Sequence, residues 1–299
     1  MPLITFEEAW RAYREAEKNL PAKPRPTSPV RVGGLLDVID RFDLVLLDAW
    51  GVLNLGEAPI PSARKAVAGL RSNGVPLRVL SNDASTGKLG AVERHRRRGY
   101  DFAPEEIVAG LDLVPAAVRD RSLAFPVGLI ADVPAPAIDV SAPLHPLADE
   151  AEVYGRVSGF VFLSSDDWSE SRQSLLRASL AWKPRSLIVG NPDIASPGSH
   201  ALAAEPGYYA HRLAGDLGIR PCLCGKPDRA IYDLALAAFP QIPRERVLCI
   251  GDTLHTDILG ARAAGCRAML VEDGFCAGRD ALALAADCAI WPDFIAPGI

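Results

Sequence analysis

Phe42-Asp43-Leu44-Val45-Leu46-Leu47-Asp48-Ala49-Trp50-Gly51-Val52-Leu53 is the stretch that decides the fold. Leu44 to Leu47 form a short apolar run that fits a fully buried strand of a parallel sheet, although so short a run also fits a buried helix. Asp48 follows where that strand should end. Gly51, three residues on, lets the chain turn sharply. In an open α/β sheet, ligands sit outside the carboxyl ends of the strands. Asp48 thus stands where a catalytic carboxylate would be useful, and taken alone it is equally a capping or turn aspartate.

Working outward, the flanking segments alternate between strand and helix. Residues 5–19 read as an amphipathic helix, with Thr5 and Glu8 as a capping box and Phe6, Trp10, Tyr13 and Ala16 on one face. Pro21, Pro24, Pro26 and Pro29 end regular structure, so residues 1–40 read as an N-terminal arm packing on the core or on a partner chain. Pro61 to Ser72 is a helix stopped by Asn73-Gly74. Pro76 to Leu80 is a strand ending in Ser81-Asn82-Asp83, which completes a βαβ unit. Helices are expected over 88–99 and 104–119, a strand over 127–131, and a loop-rich section marked by Pro134, Pro136, Pro143 and Pro146. A strand over 159–163 and a helix over 170–181 follow, so residues 85–183 read as a second α/β unit inserted in the first. Leu187 to Val189 is strand-like and ends in Gly190-Asn191-Pro192-Asp193. Lys226-Pro227 precedes a further helix. Arg246 to Ile250 is a buried strand ending in Gly251-Asp252 and, five residues on, Asp257.

Composition narrows the possibilities. The chain has 299 residues, 49% apolar and 23% charged, with a net charge of -5, as expected of a globular protein with a sizeable core. It has no apolar run near the roughly 18 residues of a membrane span and no basic-then-apolar start, so no membrane partner, no secretory signal and a cytoplasmic location are expected. The acidic balance argues against nucleic acid. The basic run Arg94-His95-Arg96-Arg97-Arg98 reads as a solvated helix face. The six cysteines (222, 224, 249, 266, 276 and 288) have no zinc spacing and read as reduced thiols.

Four polar clusters therefore stand at the ends of expected strands: Asp48, Ser81 with Asn82, Lys226, and Asp252 with Asp257. Together they can handle a phosphoryl group. A carboxylate can attack phosphorus and carry it as an aspartyl phosphate. A hydroxyl, backbone N–H groups and a lysine can hold its oxygens. Mg²⁺ between facing carboxylates would remove their repulsion and neutralise charge on the transferring group.

In this order the clusters resemble the motifs of the haloacid dehalogenase superfamily, in its class IIA branch: Asp48-Ala49-Trp50-Gly51-Val52-Leu53, Leu80-Ser81-Asn82, Gly225-Lys226-Pro227, and Gly251-Asp252 through Asp257. Asn191-Pro192-Asp193 resembles a further signature of that branch. The resemblance spans about residues 44–272 and implies a Rossmann-like core (1–84 and 184–299) with an α/β cap (85–183) inserted between the second and third motifs. It implies a Mg²⁺-dependent phosphohydrolase acting on a small phosphorylated metabolite, with Asp48 as nucleophile. Ser81 and Lys226 would hold phosphoryl oxygens. Asp252, Asp257 and the Trp50 carbonyl would join Asp48 around the metal, and Asn82 and Asp193 would shape the site. A homodimer through the cap is also implied.

One position departs from that pattern. The family's first motif is Asp-x-Asp, and its second aspartate protonates the leaving group; here Trp50 stands there, and indole cannot exchange that proton. Losing such an acid/base costs on the order of 10²–10⁴ in rate. Four readings follow: substrates with good leaving groups, a proton supplied by His255, Asp83 or Asp193, a dehalogenase, or a phosphate-ligand-binding or regulatory protein with weak turnover. Ser164 to Trp168 is a candidate substrate-facing cap loop.

Overall fold

The computed structural model describes residues 2–299 apart from 124–125, 142–143 and 199–200, so Pro143 of the expected loop section lies outside the described residues. Two parallel sheets organise the chain. The first has seven strands in the order Val30–Arg31, Phe294–Ala296, Arg267–Val271, Val247–Gly251, Leu44–Leu47, Leu77–Ser81, Ile107–Ala109. Leu44–Leu47 is buried throughout and lies between Val247–Gly251 and Leu77–Ser81, which is why its sequence is apolar on both faces. The register sets Leu47 opposite Ile250 and Val79, so Asp48, Ser81 and Asp252 emerge together at one edge of the sheet. Apolar side chains fill both of its faces: Leu46, Ile231 and Cys249 on one, Val45, Leu70 and Met269 on the other.

The second sheet has five parallel strands in the order Cys222–Leu223, Leu187–Val189, Phe160–Phe162, Gly128–Ile130, His145–Pro146. Its extent differs from the expected insert of 85–183 at both edges. Ile107–Ala109 pairs with Leu77–Ser81 in the first sheet, whereas Leu187–Val189 and Cys222–Leu223 belong to the second. The helix expected over 104–119 splits accordingly. Ile107-Val108-Ala109 covers an otherwise open sheet edge, and only Val114–Asp120 remains α-helical. The chain passes between the sheets where Gly110 lies against the carbonyls of Gly190 and Cys224; a Cβ there would come within 2.1 Å of the former.

The N-terminal arm belongs to the core. Thr5 and Glu8 form the expected capping box of the helix Phe6–Ala16, whose Tyr13 is buried, and Val30–Arg31 adds the outermost strand of the first sheet. The basic run is not a solvated face: His95 and Arg98 are buried, Arg94 pairs with Asp83, and only Arg96 and Arg97 are exposed. All six cysteines are free thiols. Among the described residues no helix is long and apolar enough to cross a membrane.

Candidate active site

The turn after Leu47 is built around Asp252. Gly51 has φ +83°, and a Cβ on it would lie 1.8 Å from Asp252 Oδ2, so this position accepts only glycine. Gly274 makes an equally close approach from the other side, 2.1 Å to the same atom. Asp252 is held by the Phe275 N–H at 2.7 Å and the Thr253 hydroxyl at 2.9 Å. The chain then makes a π-helical turn, Leu254–Ile258, that leads into the α-helix Leu259–Ala263. That turn brings Asp257 back so that its Oδ2 accepts from Thr253 N at 3.1 Å.

Lys226 joins these strand ends. Its Nζ donates to Asp48 Oδ1 at 2.5 Å and to Asp257 Oδ1 at 2.7 Å, with all three side chains buried. Its backbone is clamped by Asn82: Lys226 N donates to Asn82 Oδ1 at 2.7 Å, and Asn82 Nδ2 donates to Lys226 O at 3.0 Å. The same amide nitrogen donates to Asp193 Oδ1 at 2.9 Å, which ties the Asn191-Pro192-Asp193 loop to the site. The helix after Lys226 starts at Arg229 with Asp228 as its cap, so Pro227 stands before the cap and not at the first helical position. Ser81 is buried and its Oγ accepts from Asp83 N at 3.1 Å.

Charge sets the protonation of this cluster. Burial pushes the Asp48 carboxyl well up; Lys226 opposes the rise, and Asp257, Asp252 and Asp193 add to it. Burial and the Asp257 charge raise Asp252 to about 7, against its bonds to Phe275 and Thr253. Burial raises Asp193 to about 6, with Lys226 opposing. Burial alone would lower the Lys226 ammonium, but Asp257, Asp48 and Asp193 hold it above its ordinary value. One lysine is thus set among several carboxylates. Ligand atoms of Asp48, Asp252 and Asp257 all lie within 4.8 Å of one another, an oxygen-only donor set that suits a hard divalent cation.

Beside this cluster lies a cavity of about 160 Å³ whose lining includes Trp50, Asp83, Asp193 and Glu205. The half-buried Trp50 indole carries the buried Arg98 guanidinium 5.0 Å from its centroid. Arg98 in turn donates to Asn54 Oδ1 and Glu57 Oε1. Ser164, Ser165 and Asp166 of the candidate cap loop line the cavity, whereas Trp168 is buried against Phe162.

Two of the residues considered as substitute proton donors are engaged in other contacts. His255 is fully buried, stacked on Tyr13 and edge-on to Trp10, with Nε2 3.2 Å from Glu17 Oε1; it belongs to the contact with the N-terminal helix. Asp83 lines the cavity but is neutralised by Arg94 and accepts from the Ser85 hydroxyl at 2.6 Å. Asp193 does face the cavity. Sequence reasoning missed Glu205, Arg98, Thr253 and Gly274. Thr253 lies inside the quoted motif beside Asp252, whereas Glu205, Arg98 and Gly274 reach the site through tertiary packing.

Comparison with known proteins agrees with this geometry. A family model described as haloacid dehalogenase-like hydrolase matches residues 45–128, which carry Asp48 and Ser81, and a HAD-hydrolase-like model matches 223–299, which carry Lys226 and Asp252. The chain is 27% identical over 239 residues to haloacid dehalogenase-like hydrolase domain-containing protein 2 of Bos taurus, covering 77% of this chain and 84% of the relative. It is 29% identical over 273 residues to the glycerol-3-phosphate phosphatase of Gallus gallus, covering 79% and 81%. Its fold matches the crystal structure of a possible sugar phosphatase from Cytophaga hutchinsonii with a TM-score of 0.78 at 21% identity, covering 91% of this chain and 98% of that one. By its two family matches, these relatives and this fold, the chain belongs to the haloacid dehalogenase superfamily.

Proposed function

We propose that this protein is a Mg²⁺-dependent phosphohydrolase that transfers the phosphoryl group of a small phosphorylated metabolite to Asp48 and then to water. The observation that carries this reading is the Lys226 ammonium bonded to both Asp48 and Asp257 beside Asp252. Lys226 orients the Asp48 carboxylate and opposes the rise that burial and the neighbouring carboxylates impose on it, and Mg²⁺, when bound, would favour the ionised nucleophile further. Ser81 and Lys226 would hold the phosphoryl oxygens, and Asn82 fixes the Lys226 backbone so that its ammonium is already in place. Asp48, Asp252, Asp257 and the Trp50 carbonyl would hold the metal. When bound, Mg²⁺ would supply charge neutralisation for the transferring group. The second sheet would act as the cap: its Ser164, Ser165 and Asp166 share the cavity with Trp50 from the first sheet.

The relatives named as glycerol-3-phosphate phosphatases make a phosphorylated polyol the first substrate to try. The test is phosphate release from sugar and polyol phosphates, p-nitrophenyl phosphate and acetyl phosphate, with and without Mg²⁺, by wild type and Asp48→Asn. Mg²⁺-dependent release that Asp48→Asn abolishes is the expected result. Release that survives in Asp48→Asn would sink the aspartyl-phosphate route. No release from any substrate would favour a protein that binds phosphorylated ligands without turning them over.

A further inference from the structure

The cavity beside Trp50 contains a carboxyl group that the scheme above leaves unused. Glu205 stands at the start of the helix Pro206–Leu217, yet its side chain makes no capping bond. It reaches toward the cavity instead. There Oε1 accepts from the Ser196 hydroxyl at 2.5 Å and Oε2 accepts from Asn191 Nδ2 at 2.9 Å. Ser196 and Asn191 line the same cavity.

The carboxylates of Asp193, Asp83 and Asp166 act on Glu205 most strongly, and Glu57, paired with Arg98, and Asp132 also line the cavity. Arg94 also lines the cavity, but it is taken up by Asp83. Burial, with those like charges, raises Glu205 to about 8 against its bond to Ser196. At neutral pH it is therefore a protonated acid.

One wall of the cavity is hydrogen-bonded to the frame of the phosphoryl site. Asp193 lines it and is bonded to Asn82, which clamps Lys226. A phosphate ester at Asp48 would extend its alcohol part past Asp193 and Trp50. Asp193 itself accepts from Asn82 and Thr256 and lies near Lys226, all of which favour its ionised form. We propose that Glu205 is the general acid that protonates the leaving oxygen, in place of the carboxylate that Trp50 has displaced. This assignment rests on the phosphohydrolase reading above.

The proton balance closes. As an Asp48 oxygen bonds to phosphorus, the bond from phosphorus to the ester oxygen breaks and leaves its electron pair on that oxygen. The Glu205 carboxyl delivers its proton there, giving the alcohol, a Glu205 carboxylate and the aspartyl phosphate. Water then attacks phosphorus, the phosphorus–Asp48 bond breaks and returns the Asp48 carboxylate, and the proton shed by water restores Glu205.

The test is kcat/KM, which reports the step through leaving-group departure, for the Mg²⁺-loaded full chain. It compares glycerol phosphate, an alkyl ester, with p-nitrophenyl phosphate, whose phenolate leaves without a proton. Glu205→Gln should lower the alkyl value by about 10²-fold or more and the aryl value by about tenfold or less. The fall of the wild-type alkyl rate at alkaline pH should vanish in Glu205→Gln. Equal losses on both esters, or no loss, would overturn the assignment, as would a selective alkyl loss in Asp193→Asn and not in Glu205→Gln. An independent readout is the wild-type minus Glu205→Gln infrared difference spectrum of the Mg²⁺-loaded protein at pH 7, expected to carry one protonated-carboxyl carbonyl band beyond any that Asp48, Asp193 and Asp252 give in both; a difference spectrum without that band also overturns the proposal. An inert wild type, or an active Asp48→Asn, refutes the phosphohydrolase reading and the Glu205 role with it. An active, Asp48-dependent wild type whose Glu205→Gln variant treats both esters alike refutes the Glu205 role only.

Discussion

Asp252→Asn should stabilise the metal-free protein while removing its activity. The Asp252 carboxyl sits at about 7, against an ordinary 3.8, because it is buried and faces Asp257. That gap corresponds to about 4 kcal/mol of unfavourable ionisation at high pH. The sign follows from proton binding. Between pH 3.8 and 7 the native state holds the Asp252 proton more tightly than the unfolded chain does, so stability falls as pH rises through this window, with the full cost above pH 7. An asparagine fits the same contacts: its Oδ1 accepts from Phe275 N, and its Nδ2 donates to Thr253 Oγ1 after that hydroxyl rotates. Losing charge assistance in these bonds costs about 1–2 kcal/mol. The net gain at pH 8 is therefore about 2–3 kcal/mol, and near pH 5 it is close to zero. Urea unfolding of both proteins in a chelator at pH 5 and pH 8 measures it. Added Mg²⁺ should stabilise wild type and barely move the variant, which closes the gap. A variant less stable than wild type at pH 8 in chelator, or a gain equal at both pH values, would refute the account of a self-repelling carboxylate cluster.

Two further outcomes follow from the same geometry. Lys226→Met removes the one cation that, among the described residues, is bonded to Asp48 and Asp257; unfolding experiments should show a loss of about 3–5 kcal/mol at pH 8. That loss should shrink toward pH 4 as the orphaned Asp48, whose carboxyl burial already pushes well up, takes up a proton. Gly51→Ala should cost about 2 kcal/mol or more and abolish phosphate release, because its φ of +83° is strained for alanine and its Cβ would overlap Asp252. Gly74→Ala, at φ +66° with nothing within 4 Å of the new Cβ, should cost about 1 kcal/mol in urea unfolding and keep activity.

Much of this was legible in the chain itself. Leu44–Leu47 is apolar without alternation because neighbours cover both faces of the strand, and a backbone buried that way must pair on both sides. Gly51 and Gly225 were legible for a related reason: each sits where a side chain would collide with a site residue, Asp252 or Asn82. The edges of the second sheet were not legible. Ile107-Val108-Ala109 pairs with residues 79–81 of the first sheet, and Cys222–Leu223 pairs across to 188–189; a three-residue strand has too little periodicity to show which sheet it will join.

That Asp48, Ser81 and Asp252 stand at strand ends, and Lys226 shortly before a helix, was legible in the sequence, because the flanking elements have strong local patterns. The rest was decided by tertiary structure. His255 and Asp83 are near the motifs in sequence, yet packing against Tyr13 and pairing with Arg94 occupy them. Glu205 lies outside every motif, and its bonds to Asn191 and Ser196 hold it in the cavity beside Trp50. Local sequence sets backbone geometry and strand burial, whereas the protonation of a carboxyl depends on which charges and how little water surround it, and only the assembled fold determines that.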